Sequence, residues 1–231
     1  MTTTEVLKYL KKNGSRKNIE GMKRFGIAAP KAFGGNAPAI RKCAKEIGTD
    51  HILAQKLWDT GYHEARIIAA LIADPEKTTK KLMERWVSQC DNWAVCDACC
   101  GELFDYTPYA IAKAREWSSR KKEFVKRAGF VLMAELAVHN TELNDAVFIS
   151  FFPLMIRESH DERNFVKKAV NWALRQIGKR NETLHPKALR IAKKLSESPD
   201  PTARWIGRDA IKDLHSASVK RKFKRKRARA A

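Results

Sequence analysis

The chain has 231 residues, long enough to bury a sizeable core, and 44% of them are hydrophobic, with six Trp and ten Phe, which excludes a disordered chain. Forty-six Lys and Arg against twenty-six Asp and Glu give a net charge of +20, and eight of the positives lie in the tail from Val219 to Ala231, leaving +12 on the body. Such a balance points to a polyanionic partner, most often nucleic acid, and with no run of eighteen apolar residues no membrane-spanning helix is expected.

In chain order, the opening "MTTTEVLKYLKKNG" lacks the apolar segment and cleavage site of a signal peptide and reads as a helix with a threonine N-cap. Almost every later segment shows helical spacing, and strand-like alternation is nearly absent. Loops are expected at "GSRKN" from Gly14, "FGIAAPKAFGGNAP" from Phe25 and "SPDP" from Ser198. One domain over residues 1–218 is expected to end in a disordered polybasic tail, 219–231. Five cysteines, an odd number, in a chain with no export signal argue for unpaired thiols in a reducing compartment, so a cytoplasmic, nucleoid-associated protein is expected.

The helical segments repeat. "HEARIIAAL" from His63, "NWAVCDACC" from Asn92, "EFVKRAGFVL" from Glu123, "NFVKKAVNWAL" from Asn164 and "TARWIGRDAI" from Thr202 align at Ala65, Val95, Val125, Val166 and Ala203. The spacings are 30, 30, 41 and 37 residues, near the ~40–47 of HEAT and armadillo units, each a helix pair that buries its apolar stripe only by stacking on neighbours. An all-α solenoid is predicted, with a compact helical bundle as the alternative.

In this register Asp97, Arg127 and Lys168 fall at equivalent places, and four-residue spacings put Trp93 on the face of Asp97 and Trp172 on the face of Lys168. Trp172 sits at the edge of the apolar stripe Phe165, Val166, Ala169, Val170, Ala173, Leu174 and Ile177, flanked by Lys168 and Arg175. Arg127 lies off the stripe of Phe124, Val125, Ala128 and Leu132. Equivalent positions in stacked repeats line one surface, so an acid, two bases and two aromatics form a row. Trp faces attract cations, a carboxylate stabilises positive charge and Arg holds phosphate, which suits a cationic group on a phosphodiester backbone.

The cysteines compete for attention in "CDNWAVCDACC". Cys96 and Cys99 have the spacing of half a zinc site, yet no second pair and no His stand at ligand spacing, and no βαβ context supports redox chemistry. They read as small packing residues, and neither metal nor cofactor is expected. The six His show no triad order, and "FGGN" at Phe33 lacks the lysine and strand of a phosphate loop.

On "LWDTGYHEARIIAALI", "DNWAVCDACCGELF", "FVKRAGFVLMAEL" and "FVKKAVNWALRQIGK", the chain resembles the AlkD-like DNA alkylation repair glycosylases from about Phe25 to Leu214. The family's catalytic Trp-x-x-x-Asp stands here as Trp93 to Asp97, its phosphate-contacting Arg as Arg127, and its second lesion-facing Trp as Trp172. The resemblance implies HEAT-like repeats with a concave basic surface and hydrolysis of the N-glycosidic bond of cationic N3- or N7-alkylated purines. It implies that the lesion in duplex DNA is handled without a deep base pocket. A monomer is expected, and no metal is required. With no lysine or N-terminal proline matched to a Schiff-base role, no lyase step is expected. Asn92 and Ala94 depart from the family, which often has a second Trp and an extra Asp there. The loop "FGIAAPKAF" lacks the polar residues that some members place near the lesion. Lys126, Lys167, Lys168, Arg175, Arg204 and Arg208 are the candidates for phosphate contacts. The competing class is a non-catalytic solenoid binding structured nucleic acid. An armadillo adaptor for acidic peptides would want an Asn ladder, where only Asn92, Asn164 and Asn171 occur.

Overall fold

A computed structural model of the protein describes residues 1–230, with side chains described for residues 1–225. By contacts the chain divides into two compact units, Met1–Tyr109 and Ala110–Ala231. Among the described residues all regular structure is helical, and no helix is long and apolar enough to cross a membrane.

The first unit holds α1 (Thr3–Lys12), α2 (Arg16–Arg24), α3 (Ala37–Ile47), α4 (His51–Asp59), α5 (His63–Ile72), α6 (Lys80–Ser88) and α7 (Trp93–Glu102). Short polar residues start most of these helices. Thr2, Ser15, Asn36, Asp50, Thr79 and Asn92 each accept a backbone N–H of the first turn, a cap worth about 1 kcal/mol. Thr2 forms a full capping box with Glu5, which confirms the threonine start. Pairs α4–α5 and α6–α7 pack internally, and α5 packs on α7. At their centre Trp58 stacks on Trp86 with centroids 4.2 Å apart. Trp58 Nε1 donates to Gln89 Oε1 at 2.6 Å, which satisfies the polar handle of a buried indole.

The loop between α2 and α3 is held by a carboxylate. Glu64, near the start of α5, is 0% exposed. Its Oε1 accepts the N–H groups of Phe33, Gly34 and Gly35 at 3.2, 2.7 and 3.0 Å, and Oε2 accepts Phe33 N–H again at 3.1 Å. The His63 N–H donates to Lys31 O at 2.8 Å. Glycine is required at position 34, where φ is +76° and a Cβ would lie 2.1 Å from Ser15 O.

The second unit holds α8 (Ala110–Trp117), α9 (Glu123–His139), α10 (Asp145–Ile149), α11 (Phe152–Glu158), α12 (Asn164–Gly178), α13 (Leu184–Ser196), α14 (Pro201–Leu214) and α15 (Ala217–Ala230). Helix α9 is buried around most of its girth because α8 and α12 both pack on it. Helix α12 in turn packs on α14, and α13 pairs with α14. The repeat register holds throughout: Ala65, Val95, Val125, Val166 and Ala203 all lie near the starts of α5, α7, α9, α12 and α14, and all are buried. The long spacing between α9 and α12 arises because the short helices α10 and α11 intervene.

The expected disordered tail is helical from Val219 to Ala230 instead, and Ala231 lies outside the described residues. Val219 and Phe223, four residues apart, are buried, and the Phe223 ring meets His185 edge-on with centroids 5.0 Å apart. Two apolar residues on one face suffice to dock a segment whose Lys, Arg and Ala favour helix.

A carboxylate cluster closes the start of α12. Asp161 accepts from Arg163 Nε at 2.9 Å and Lys126 Nζ at 3.0 Å, and Glu158 also pairs with Lys126. The Arg163 guanidinium, helped by Lys126 against the opposing effect of burial, holds the Asp161 carboxyl at about 2, below its ordinary 3.8. A carboxyl depressed on folding adds stability above its unfolded value and loses it as pH falls through the folded one. The shift corresponds to roughly 2 kcal/mol, lost between about pH 4 and pH 2. Urea unfolding at pH 6 and pH 2.5 should show a stability gap that shrinks by about that amount in Asp161→Asn; an unchanged gap would remove Asp161 from the acid response.

Candidate nucleic-acid interface

Helix α7 carries the Trp-x-x-x-Asp pair. Asn92 is its N-cap: the buried amide oxygen accepts the N–H groups of Ala94 and Val95 at 3.0 and 3.1 Å, and Nδ2 donates to Asp91 Oδ1 at 2.7 Å. That role explains Asn at a place where the resembled family often has Trp. The next residue, Trp93, begins the helix, and Asp97 follows one turn later on the same face. Both are half-buried. Trp93 Nε1 donates to Phe25 O at 2.9 Å, which ties the indole to the α2–α3 loop.

Beside this indole lies an open cavity of ≈ 520 Å³, lined by Met22, Phe25, Ile27 and Trp93 with Lys17 and Arg24. Phe25 stands 73% exposed. The cavity lining thus combines an apolar wall with two cations. The two cations were outside the candidate row, although "RKNIEGMKR" announces a basic helix, and no residue of α2 is buried. Glu64 also escaped the sequence reading. A lone acid opening the apolar run "HEARIIAAL" is the signal that would have found it.

The cysteines face inward. Cys96, Cys99 and Cys100 are fully buried, and burial pushes the Cys96 and Cys99 thiols up from their ordinary value. Among the described residues no group of three His, Cys, Asp or Glu side chains is placed to hold a metal.

In the second unit the structure sorts the expected cations. Arg127 is only 6% exposed, and its Nη1 donates to Phe165 O at 2.7 Å, beside the tilted Phe124–Phe165 ring pair. It is held by α12 and is not a solvated base off the apolar stripe. Lys126 is enclosed by Glu158 and Asp161 with 12% of its side chain exposed, so it is not presented to a polyanion, contrary to the sequence expectation. The cause is tertiary: both carboxylates come from chain more than thirty residues on. Arg175 faces Asp209 and Asp213 at 3.7 and 3.9 Å. Arg204 donates to Ser198 O and Pro199 O at 2.8 and 2.9 Å, closing the "SPDP" turn. Lys168 and Arg208 are exposed, and Lys167 lies over the Trp205 ring. Trp172, on the same helix as Lys168, is half-buried.

Comparison with curated proteins yields no match. Among solved structures the chain is similar to a protein of a family related to the HEAT-like repeat DNA glycosylases, one with affinity for branched DNA structures. The identity is 21%, the TM-score 0.75, and the likeness covers 90% of this chain and 94% of that one. It establishes the fold as the HEAT-like helical repeat that the stacked second helices α5–α7 and α9–α12–α14 form within each unit. Residues 6–214 match the family of DNA alkylation repair enzymes, a span that takes in Trp93, Asp97, Arg127 and Trp172, and the chain belongs to that family.

Proposed function

We propose that the protein is a monofunctional glycosylase that hydrolyses the N-glycosidic bond of cationic N3- or N7-alkylated purines in duplex DNA. The observation that carries this reading is the pair on α7: a half-buried carboxylate one turn from an indole whose edge is fixed by Phe25 O beside an open cavity.

Alkylation at N3 or N7 gives the purine a positive charge, so the C1′–N bond breaks with its electron pair moving onto the ring and neutralising it. No general acid is needed for the leaving group. The remaining demand is the positive charge developing on the deoxyribose, which the Asp97 carboxylate stabilises. Asp97 also orients the water that adds at C1′ and accepts the proton this water releases. Trp93 and Trp172 pack on the sugar and the cationic base, each contact worth roughly 0.5–2 kcal/mol. Arg127, buried and fixed by Phe165 O, is given the role of keeping a backbone phosphate in register by the family resemblance, and it can do so only at the rim of the site. Selection then falls on charge more than on base shape.

Release of free 7-methylguanine from methylated duplex, followed by chromatography, tests the reaction; no release above the uncatalysed rate would end this reading. Binding to undamaged duplex has its own expected result. With exposed cations such as Lys168 and Arg208 acting on phosphates, affinity should fall by at least about tenfold between 50 and 200 mM salt. A salt-independent affinity would count against the phosphate contacts.

One observation favours a second reading. The similar solved protein has affinity for branched DNA, which supports a non-catalytic role on junctions for this chain as well. Equal binding of junction and lesion DNA with no base release would favour it.

A further inference from the structure

Trp205 is 39% exposed, one of the few large hydrophobics left at the surface of the described residues. It occupies the same register as the functional row: two residues after Ala203, as Asp97, Arg127 and Lys168 stand two after Val95, Val125 and Val166. Gly207 sets its orientation. A Cβ there would lie 2.2 Å from Ser196 N, so that edge of α14 is pressed onto α13 and Trp205 points away from it. Lys167 Nζ lies 5.0 Å from the indole centroid. A shallow depression of ≈ 340 Å³ borders the ring, lined by Pro201, Arg204, Arg208, Asp209 and Lys212. Asp209 is the one acid in that lining, and Arg175 faces it at 3.7 Å.

An indole half out of solvent among cations offers a flat apolar face for stacking next to groups that attract phosphate. Cation–π contact with Lys167 covers part, and the depression leaves room beside the ring. We infer that Trp205, with Lys167, Arg208 and Lys212, forms a stacking site for one unpaired nucleotide: the base on the indole and its phosphate on the cations. Any base presents a π-face, so the site is indifferent to sequence, and it discriminates single-stranded from paired DNA because a paired base cannot leave its stack cheaply. The inference rests on the reading that the chain binds DNA. It adds a preference for duplex that carries an unpaired strand, such as a fork or flap.

The test uses the full chain and three DNAs: a duplex, the same duplex with a single-stranded arm, and the armed duplex with 2-aminopurine in the arm. Stacking on Trp205 should quench 2-aminopurine emission and make the armed duplex bind about tenfold tighter than the plain one. Trp205→Ala should abolish both effects while leaving plain-duplex affinity within about twofold and the melting temperature unchanged. Trp205→Phe, which keeps an aromatic face, should retain most of the gain in affinity for the armed duplex. Equal binding of armed and plain duplex by the unaltered chain would overturn the inference, as would a Trp205→Ala loss that is the same on both DNAs. No binding to any of the three would overturn the DNA reading itself, and the stacking site with it.

Discussion

Asp97→Asn should lower the release of 7-methylguanine by at least about 100-fold while leaving affinity for methylated duplex within a few-fold. The substitution keeps size and one acceptor oxygen, replaces the other oxygen by an NH2 donor, and removes the anion, so charge is the main thing lost. A carboxylate facing a developing oxocarbenium acts mainly in the transition state, where loss of one aligned electrostatic partner costs about 3–4 kcal/mol. The uncharged amide would therefore affect kcat far more than KM. Asp97 is half-buried on the second turn of α7, so the helix should survive the exchange, and circular dichroism would verify that. Undiminished release by the variant would remove the carboxylate from the mechanism. An equal fall with a large rise in KM would make it a binding group.

Removing Glu64 should produce the largest loss of stability. In Glu64→Ala the N–H groups of Phe33, Gly34 and Gly35 lose their shared acceptor. At about 1–3 kcal/mol per buried unsatisfied donor, with partial relief by water, the loss is roughly 3–5 kcal/mol. For a chain of this size that lowers the melting temperature by about 10 °C. Glu64→Gln keeps an oxygen where Oε1 now accepts three bonds and loses the one bond to Oε2, so it should cost only about 1 kcal/mol. Alanine should also slow base release, because the loop it frees carries Phe25 O, the acceptor for Trp93 Nε1. Equal melting temperatures for the two variants would show that the loop is held by something other than this carboxylate.

The helices and their register were legible because each buries an apolar stripe at helical spacing, and that signal is local. Val95 predicts its helix, and Val95 is buried. What escaped depends on partners far along the chain. Lys126 and Arg127 look alike in sequence, as bases beside an apolar stripe, yet one is claimed by carboxylates 32 and 35 residues on and the other by a carbonyl 38 residues on. Sequence reports a charge and not its neighbour. The tail failed for the opposite reason: its charge is so dense that Val219 and Phe223, at helical spacing, were overlooked. The Trp93–Asp97 pair was legible because both residues belong to one helix, so their shared face follows from spacing alone. The loop facing Trp93 was not, since its fixing acid lies 31 residues from the first N–H it binds.

Besides the Phe33 ring stacked on Tyr62 and the buried Ile27, the anchors of that loop are hydrogen bonds to peptide groups. Glu64 takes the amide hydrogens of residues 33–35, His63 reaches a carbonyl at Lys31, and Trp93 reaches a carbonyl at Phe25. Every non-proline residue offers the same groups. Ala28, Ala29 and Lys31 can therefore be exchanged for polar, bulky or acidic residues without unfastening the segment. That stretch, which follows the cavity-lining Phe25 and Ile27, is in that sense a replaceable part: its chemistry can be redesigned in the laboratory while its position stays fixed by the backbone.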